Sequence, residues 1–143
     1  MKGFGSRRDF LVAFGVVFAG RRLGASARCS AERGELESVD HPVPRRGITA
    51  VKVLRREQLA DAADAIPAFD MVREIPEVID GIRCTCGCAE LEGYYSLLSC
   101  FEGPDGMAKH CEICQGQGRL AFRMHKSGKS LDQIRKGIDA RFR

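Results

Sequence analysis

Cysteine is the residue type most able to do chemistry in this chain of 143 residues, and six of its seven cysteines are clustered. The six are Cys84, Cys86, Cys88, Cys100, Cys111 and Cys114. Thiols at this density form either a site for a soft metal ion or a set of disulfides. The function of the chain therefore depends on which of the two they form.

The spacing within the cluster favours sulfurs that converge. If residues 84–88 are extended, the three cysteines there lie on one side of the backbone, because successive side chains of a strand alternate between faces. Cys111 and Cys114 are three residues apart, which puts two sulfurs on one helical turn. Cys100 could reach either group. We therefore predict that all six cysteines are metal ligands.

The thiolates narrow the choice of metal. They bind Cu(I), Zn(II) and iron–sulfur clusters in preference to hard cations. Zinc takes four sulfurs in a closed structural site, whereas Cu(I) accepts two or three, so six sulfurs could hold more than one ion. Iron–sulfur clusters use wider spacings than Cys-x-Cys-x-Cys and rank third. We predict a copper or zinc ion, with His110 as a weaker candidate ligand beside the cysteines.

Disulfides are the structural alternative. Six cysteines in a small exported domain commonly make three bridges, and 15 connectivities are possible. The three cysteines of residues 84–88 cannot readily pair with one another, so each would need a partner among Cys100, Cys111 and Cys114. The chain would then be a non-catalytic interaction domain stapled by disulfides.

A thiol–disulfide redox protein that uses Cys111 and Cys114 is the third hypothesis. Proteins of that class normally have an alternation of strands and helices, which this sequence lacks. The sequence also contains no evident nucleophile–base pair and no paired carboxylates. These features favour a binding protein over an enzyme.

The first 27 residues have the pattern of a twin-arginine export signal. Arg7 and Arg8 stand just ahead of a largely apolar stretch, residues 10–19. That stretch is too short to cross a membrane, which needs about 20 residues, and a small-x-small cleavage pattern ends at Ala27. We predict cleavage after Ala27 and export by the twin-arginine machinery. The mature chain would have no transmembrane anchor and would be periplasmic or otherwise extracytoplasmic.

The export route bears on the cysteines. Twin-arginine machinery moves proteins that have already folded in the reducing cytoplasm, so the cluster could bind metal before it meets an oxidant. Cys29 lies just after the predicted cleavage site, and we interpret it as an isolated cysteine apart from the cluster.

The positive charge of the chain belongs to this leader. The whole sequence has 23 Lys and Arg against 19 Asp and Glu, and residues 1–27 hold five of the bases and one of the acids. From Arg28 onward the two signs balance. A nucleic-acid partner requires a concentrated basic face, so we expect none.

The rest of the sequence predicts a small, mostly α-helical single domain with short helices around a cysteine-rich loop. Apolar residues recur every three or four positions from Phe69 to Ile82, with Pro76 dividing the pattern, and a capping box begins the last helix at Ser130. A further helix is predicted from Met107 to His125, although Gly116 and Gly118 weaken its middle.

The predicted organisation has three parts. Residues 1–27 are the signal peptide, residues 28–65 are a linker and a partly ordered N-terminal segment, and residues 66–143 are the cysteine-rich helical domain.

An ordered series of motifs in residues 66–143 resembles the PCYCGC-motif family of exported bacterial proteins and lipoproteins. The motifs are Ile75-Pro-Glu-Val-Ile79-Asp80, Cys84-Thr-Cys86-Gly-Cys88, Ser96-Leu-Leu-Ser-Cys100-Phe101, Cys111-Glu-Ile-Cys114 and Gly128-Lys-Ser130-Leu-Asp-Gln-Ile134-Arg-Lys-Gly-Ile138-Asp139. Arg83 replaces the proline and Thr85 the tyrosine of the name-giving motif, and Tyr94-Tyr95 stand where relatives tend to carry a histidine. The resemblance implies export and a shared cysteine site, without an activity.

Overall fold

The computed structural model describes residues 40–143, and of Cys88 it describes only the backbone. The predicted signal peptide, its cleavage site and Cys29 lie outside the described residues.

Short helices make up the described part of the chain. The α-helices are α1 (Ile66–Glu74), α2 (Pro76–Asp80), α3 (Cys88–Leu91), α4 (Glu112–Lys126) and α5 (Leu131–Phe142), and the 3₁₀ helices are Ala50–Lys52, Arg56–Leu59, Ala63–Ala65, Leu97–Phe101 and Met107–Lys109. Residues 40–143 contain no strand, only an isolated bridge between Val53 and Glu102. The predicted mostly α fold is confirmed.

Proline sets the boundary between α1 and α2. Pro67 lies in the first turn of α1, where its missing N–H is not needed, and Pro76 begins α2 after Ile75 has left helical geometry. The predicted apolar face is buried throughout and consists of Phe69, Val72, Ile75, Ile79 and Ile82. The two helices therefore present one continuous face to the core.

Helix α4 lies along α1 and forms the other side of the core. Gly118 makes this approach possible, because a Cβ atom there would lie 3.0 Å from Val72 Cγ2 and 3.1 Å from the Phe101 ring. The rings of Phe69 and Phe101 meet edge to face, with their centres 4.8 Å apart. Gly118 lowers the helix propensity of α4, but the close packing of α4 against α1 requires a residue without a side chain at this position.

The predicted helix from Met107 to His125 is interrupted. A 3₁₀ turn covers Met107–Lys109, Cys111 adopts an extended backbone as the N-cap, and α4 begins only at Glu112. Gln115 stabilises this break, because its side-chain amide donates to the carbonyls of Ala108 (2.9 Å) and Lys109 (3.2 Å). The interruption places two cysteines at a helix N-terminus.

The segment before α1 is packed onto the helices. Val53, Leu54 and Leu59 are buried, and the Leu54 N–H donates to the Phe101 carbonyl at 3.1 Å. Residues 40–65 therefore contribute to the same core as α1, while the predicted domain boundary at residue 66 stays a prediction.

Among the helices of residues 40–143, none combines the length and apolar character needed to cross a membrane.

Candidate metal centre

Three separate segments bring the cysteines together. Cys84 and Cys86 lie in the loop between α2 and α3, Cys100 lies in the 3₁₀ helix Leu97–Phe101, and Cys111 and Cys114 lie at the cap and in the first turn of α4. The leucines and the phenylalanine of Leu97–Phe101 are buried, which fixes the direction of Cys100. Packing of α4 against α1 does the same for Cys114. The site is therefore built on core elements.

The sulfurs form overlapping groups of three that all include Cys114. In the inner trio, the Sγ atoms of Cys84, Cys100 and Cys114 all lie within 4.8 Å of one another. In the outer trio, the Sγ atoms of Cys86, Cys111 and Cys114 do the same. These two names are kept below.

Three of the sulfur–sulfur distances are shorter still. Cys84 Sγ lies 3.1 Å from Cys86 Sγ and 3.5 Å from Cys114 Sγ, and Cys86 Sγ lies 3.4 Å from Cys114 Sγ. A disulfide bond measures about 2.05 Å. Two thiolates on one tetrahedral zinc ion, each at about 2.3 Å from it, are separated by roughly 3.8 Å. All three observed distances are too long for bonded sulfurs, and the two that involve Cys114 lie within about 0.4 Å of the separation expected for ligands of one ion.

The two trios differ in burial. Every member of the inner trio is buried, with Cys100 and Cys114 fully so. The two members that belong only to the outer trio, Cys86 and Cys111, are partly exposed. In the loop that carries Cys86, residues Cys84, Thr85 and Gly87 line a surface cavity of about 310 Å³. The cluster therefore has a closed side toward the core and an open side toward solvent.

Within the inner trio, Cys84 is the thiol whose ionisation is favoured. Hydrogen bonds from the Cys100 and Cys114 thiols lower the pKa of Cys84 to about 3. The pKa of Cys114 is raised, because ionisation would disrupt its hydrogen bonds to Cys100 and Cys84 and because it is buried. For Cys100 the neighbouring Cys114 thiol acts to lower the pKa, but Cys84 and burial outweigh it and raise the pKa. A cation that binds here displaces protons from thiols already oriented toward it.

Gln117 was not a sequence-predicted site residue, yet it supports the cysteine loop. It is fully buried on α4, one turn beyond Cys114, and its side-chain amide donates to the hydroxyl of Thr85. Its Oε1 is buried without a hydrogen-bond partner among the described residues. Thr85 stands between Cys84 and Cys86, so this bond ties the loop to the helix that carries Cys114. The pairing joins distant parts of the sequence, and no local pattern signals it.

His41 also supports the loop and was missed for the same reason. The backbone N–H of Arg83, immediately before Cys84, donates to His41 Nδ1 at 3.1 Å. The other ring nitrogen, Nε2, lies 3.1 Å from an Asp139 carboxylate oxygen on α5. With Nδ1 accepting, Nε2 carries the proton and donates to Asp139. The ring therefore fixes where the loop begins.

The remaining predicted site residues lie differently. His110 is 70% exposed, and its Nε2 lies 4.0 Å from a carboxylate oxygen of Asp61 rather than in either trio. Cys88 begins α3, and its side chain lies outside what the structure describes. Five of the six predicted cysteines are thus brought together, and their role as ligands stays a prediction.

A family model described as "Protein of unknown function with PCYCGC motif" matches residues 48–143. The helical fold and the cysteine cluster lie within this range, and the chain belongs to the PCYCGC family. No curated protein and no solved structure matches the chain.

Proposed function

We propose that this chain is an exported protein that holds a soft metal ion, Cu(I) or Zn(II), through its clustered cysteines in order to store, buffer or deliver it. The observation that carries the proposal is the convergence of sulfurs from three core segments on Cys114, at distances typical of shared metal ligands.

The chemistry of the donor set supports a soft ion. Among residues 40–143 the two trios consist of thiols alone, and His110 belongs to neither of them. Thiolates select Cu(I) and Zn(II) over calcium, magnesium and manganese, which prefer oxygen. The inner trio belongs to the same buried core as Leu97, Leu98 and Phe101, so an ion held there would have apolar surroundings.

Storage or delivery accounts for the mixed burial better than a purely structural ion does. A structural zinc site is closed and holds its ion permanently. Here Cys86 and Cys111 remain partly exposed, and the cavity at Cys84 and Gly87 offers a path to solvent. A partner that carries thiols or an accepting site could exchange the ion at this edge.

The test is to purify the full chain from the cytoplasm without air, with the signal intact, and to measure metal content and free thiols. We expect about one equivalent or more of copper or zinc, with the thiols recovered after chelation. Less than about a tenth of an equivalent, together with no titratable thiol beyond Cys29, would contradict metal binding and favour the disulfide domain.

Serine variants identify the ligands. Cys114→Ser should lose metal because Cys114 belongs to both trios, whereas Cys29→Ser should retain it in full because it lies apart from the cluster in sequence. Equal retention by the two variants would remove Cys114 from the site.

A further inference from the structure

We infer that the cluster holds two Cu(I) ions with the Cys114 sulfur as the bridge between them. The first ion would bind the inner trio, and the second would bind the outer trio. This inference rests on the proposed function and adds the number of ions, their identity and the ligands of each.

The five described sulfurs are divided between the two trios. Cys100 groups with Cys84 and Cys114, whereas Cys111 groups with Cys86 and Cys114. A single four-coordinate ion could use Cys84, Cys86 and Cys114, whose sulfurs lie within 3.5 Å of one another, but only one of Cys100 and Cys111, which belong to different trios. Two three-coordinate ions use the sulfurs where they already lie.

Three thiolates suit Cu(I) better than Zn(II). Zinc in protein sites is almost always tetrahedral and requires a fourth ligand. Cu(I) is softer and is satisfied by three sulfurs. His110, the nearest imidazole in sequence, belongs to neither trio and supplies no fourth ligand to them.

Cys114 is placed to bridge. A thiolate sulfur has lone pairs enough to bind two soft ions at once, and Cys114 is the one cysteine common to both trios. Its sulfur lies 3.5 Å from that of Cys84 and 3.4 Å from that of Cys86, so it is within reach of an ion in either trio. Its position in the first turn of α4 adds the partial positive charge of a helix N-terminus, which stabilises a shared thiolate.

The two sites should differ in how fast their ions exchange, because they differ in burial. The inner trio is buried, so its ion is shielded from competing ligands, whereas Cys86 and Cys111 leave the outer ion accessible. We expect the outer ion to exchange with solution ligands faster than the inner one.

The experiment titrates Cu(I) without air into the reduced full-length Cys29→Ser protein in the presence of a chromophoric Cu(I) chelator, and native mass spectrometry counts the bound ions. We expect two ions in this parent, one in Cys100→Ser, one in Cys111→Ser and none in Cys114→Ser at the same chelator concentration. In Cys111→Ser the remaining ion should be the slowly exchanging one.

X-ray absorption gives a measurement that does not depend on whether Cys114→Ser folds. The two-copper parent should show copper–sulfur scattering from three ligands and a copper–copper contribution, which should vanish in Cys100→Ser and in Cys111→Ser. A parent that binds a single ion, or loses its only ion in Cys88→Ser, would overturn the bridged pair while leaving the proposed function intact. A parent that binds no metal at all would instead contradict the proposed function.

Discussion

Gln117 is the residue whose environment is best explained by a ligand site. A buried side chain that uses its amide N–H on Thr85 but leaves its oxygen unpaired contributes little to stability, and such groups need a reason. Holding the Thr85 loop against α4 is that reason. Gln117 is thus a positioning residue for the sulfurs on either side of Thr85.

Replacing Gln117 should lower the affinity for metal with little effect on the stability of the fold. In Gln117→Leu the loop loses its tie, and we expect Cu(I) affinity to fall by about tenfold or more, as for other outer partners of metal ligands. The free energy of unfolding should change by less than about 1 kcal/mol, because an unpaired buried oxygen is removed at the same time. Chelator competition and thermal unfolding measure the two quantities.

Thr85→Val provides the matched control, because it removes the acceptor of the same hydrogen bond with little change in shape. If the hydrogen bond between Gln117 and Thr85 is what supports Cu(I) affinity, the double variant Gln117→Leu/Thr85→Val should bind Cu(I) about as weakly as Gln117→Leu alone. If the losses of Cu(I) affinity in the two single variants add in the double variant, the two residues have separate roles.

Asp80 is buried like Gln117 but has hydrogen-bond partners on both carboxylate oxygens, and it joins the N-terminal segment to α2. Its carboxylate accepts from the guanidinium of Arg45 (2.6 Å), the Arg45 backbone N–H (2.8 Å) and the Ser96 hydroxyl (2.8 Å). Burial alone would raise the pKa of Asp80, but these donors outweigh it and lower the pKa. The ionised form is therefore the one that stabilises the fold.

Stability should accordingly depend on pH through Asp80. The unfolded state, with an Asp pKa of about 3.9, takes up its proton before the folded state does, so stability is lost as pH falls through this value toward the lowered folded pKa. Asp80→Asn should be less stable at pH 7 by about 1–3 kcal/mol, and the gap should narrow in acid. Denaturant unfolding from pH 7 to 3 measures this.

Asp132→Asn is the control, since that carboxylate is 80% exposed and pairs only with Arg135 on its own helix. It should cost less than about 0.5 kcal/mol at any pH. A gap for Asp80→Asn that is independent of pH would contradict the role assigned to its charge.

Glycine governs how closely the elements pack. In α4, Gly118 faces Val72 and Phe101, both fully buried, and Val72 is β-branched and restricted to few rotamers in a helix. In α5, a Cβ on Gly137 would meet only the flexible end of Met124, with Sδ at 2.8 Å. The two positions should respond to alanine in opposite ways.

Gly118→Ala should destabilise the domain by about 1–3 kcal/mol, because the added methyl group has to separate α4 from α1. Gly137→Ala should be neutral or stabilising by up to about 1 kcal/mol, because alanine favours the helix and Met124 can move. Urea unfolding of both variants tests the pair, and a stabilised Gly118→Ala would show that α4 has room to move.

The elements also show what the sequence could and could not predict. Local patterns were sufficient for the buried face of α1 and α2, the division at Pro76 and the capping box at Ser130, whose Oγ accepts from the Gln133 N–H. The break before α4 was missed because it depends on Gln115 reaching back to carbonyls of the preceding turn. The density of cysteines predicted a site, but their division into two trios depends on tertiary packing.

At the scale of the whole molecule, the metal should stabilise a domain that already has a core. Phe69, Phe101, Leu97 and Ile138 are fully buried in a core that extends beyond the cysteines. A ligand present at a hundred times its dissociation constant adds about 2.7 kcal/mol to the free energy of unfolding. Chelation should therefore lower the melting temperature while the far-ultraviolet circular dichroism stays helical. Loss of helicity on chelation would show that the fold itself depends on the ion.

The proposed cellular location follows from the leader and the cluster together. If the thiol site is loaded in the reducing cytoplasm, as we propose, the protein requires an export route for folded proteins, and the Arg7-Arg8 pair predicts the twin-arginine route. Conservative replacement of both by lysine keeps the charge but removes the paired guanidinium groups.

We therefore expect the Arg7→Lys/Arg8→Lys variant, produced in a bacterium with a twin-arginine system, to accumulate in the cytoplasm at the full precursor length and still carrying metal. The parent should appear outside the cytoplasm, shortened by cleavage after Ala27. Arg21→Lys/Arg22→Lys is the matched control, with the same change of residue type later in the leader, and it should be exported normally. Fractionation with immunoblotting, followed by metal analysis of each fraction, distinguishes these outcomes. Export of the Arg7 and Arg8 variant as a folded, metal-loaded protein would contradict the assigned route, whereas export of the parent without metal would separate the route from the loading of the cluster.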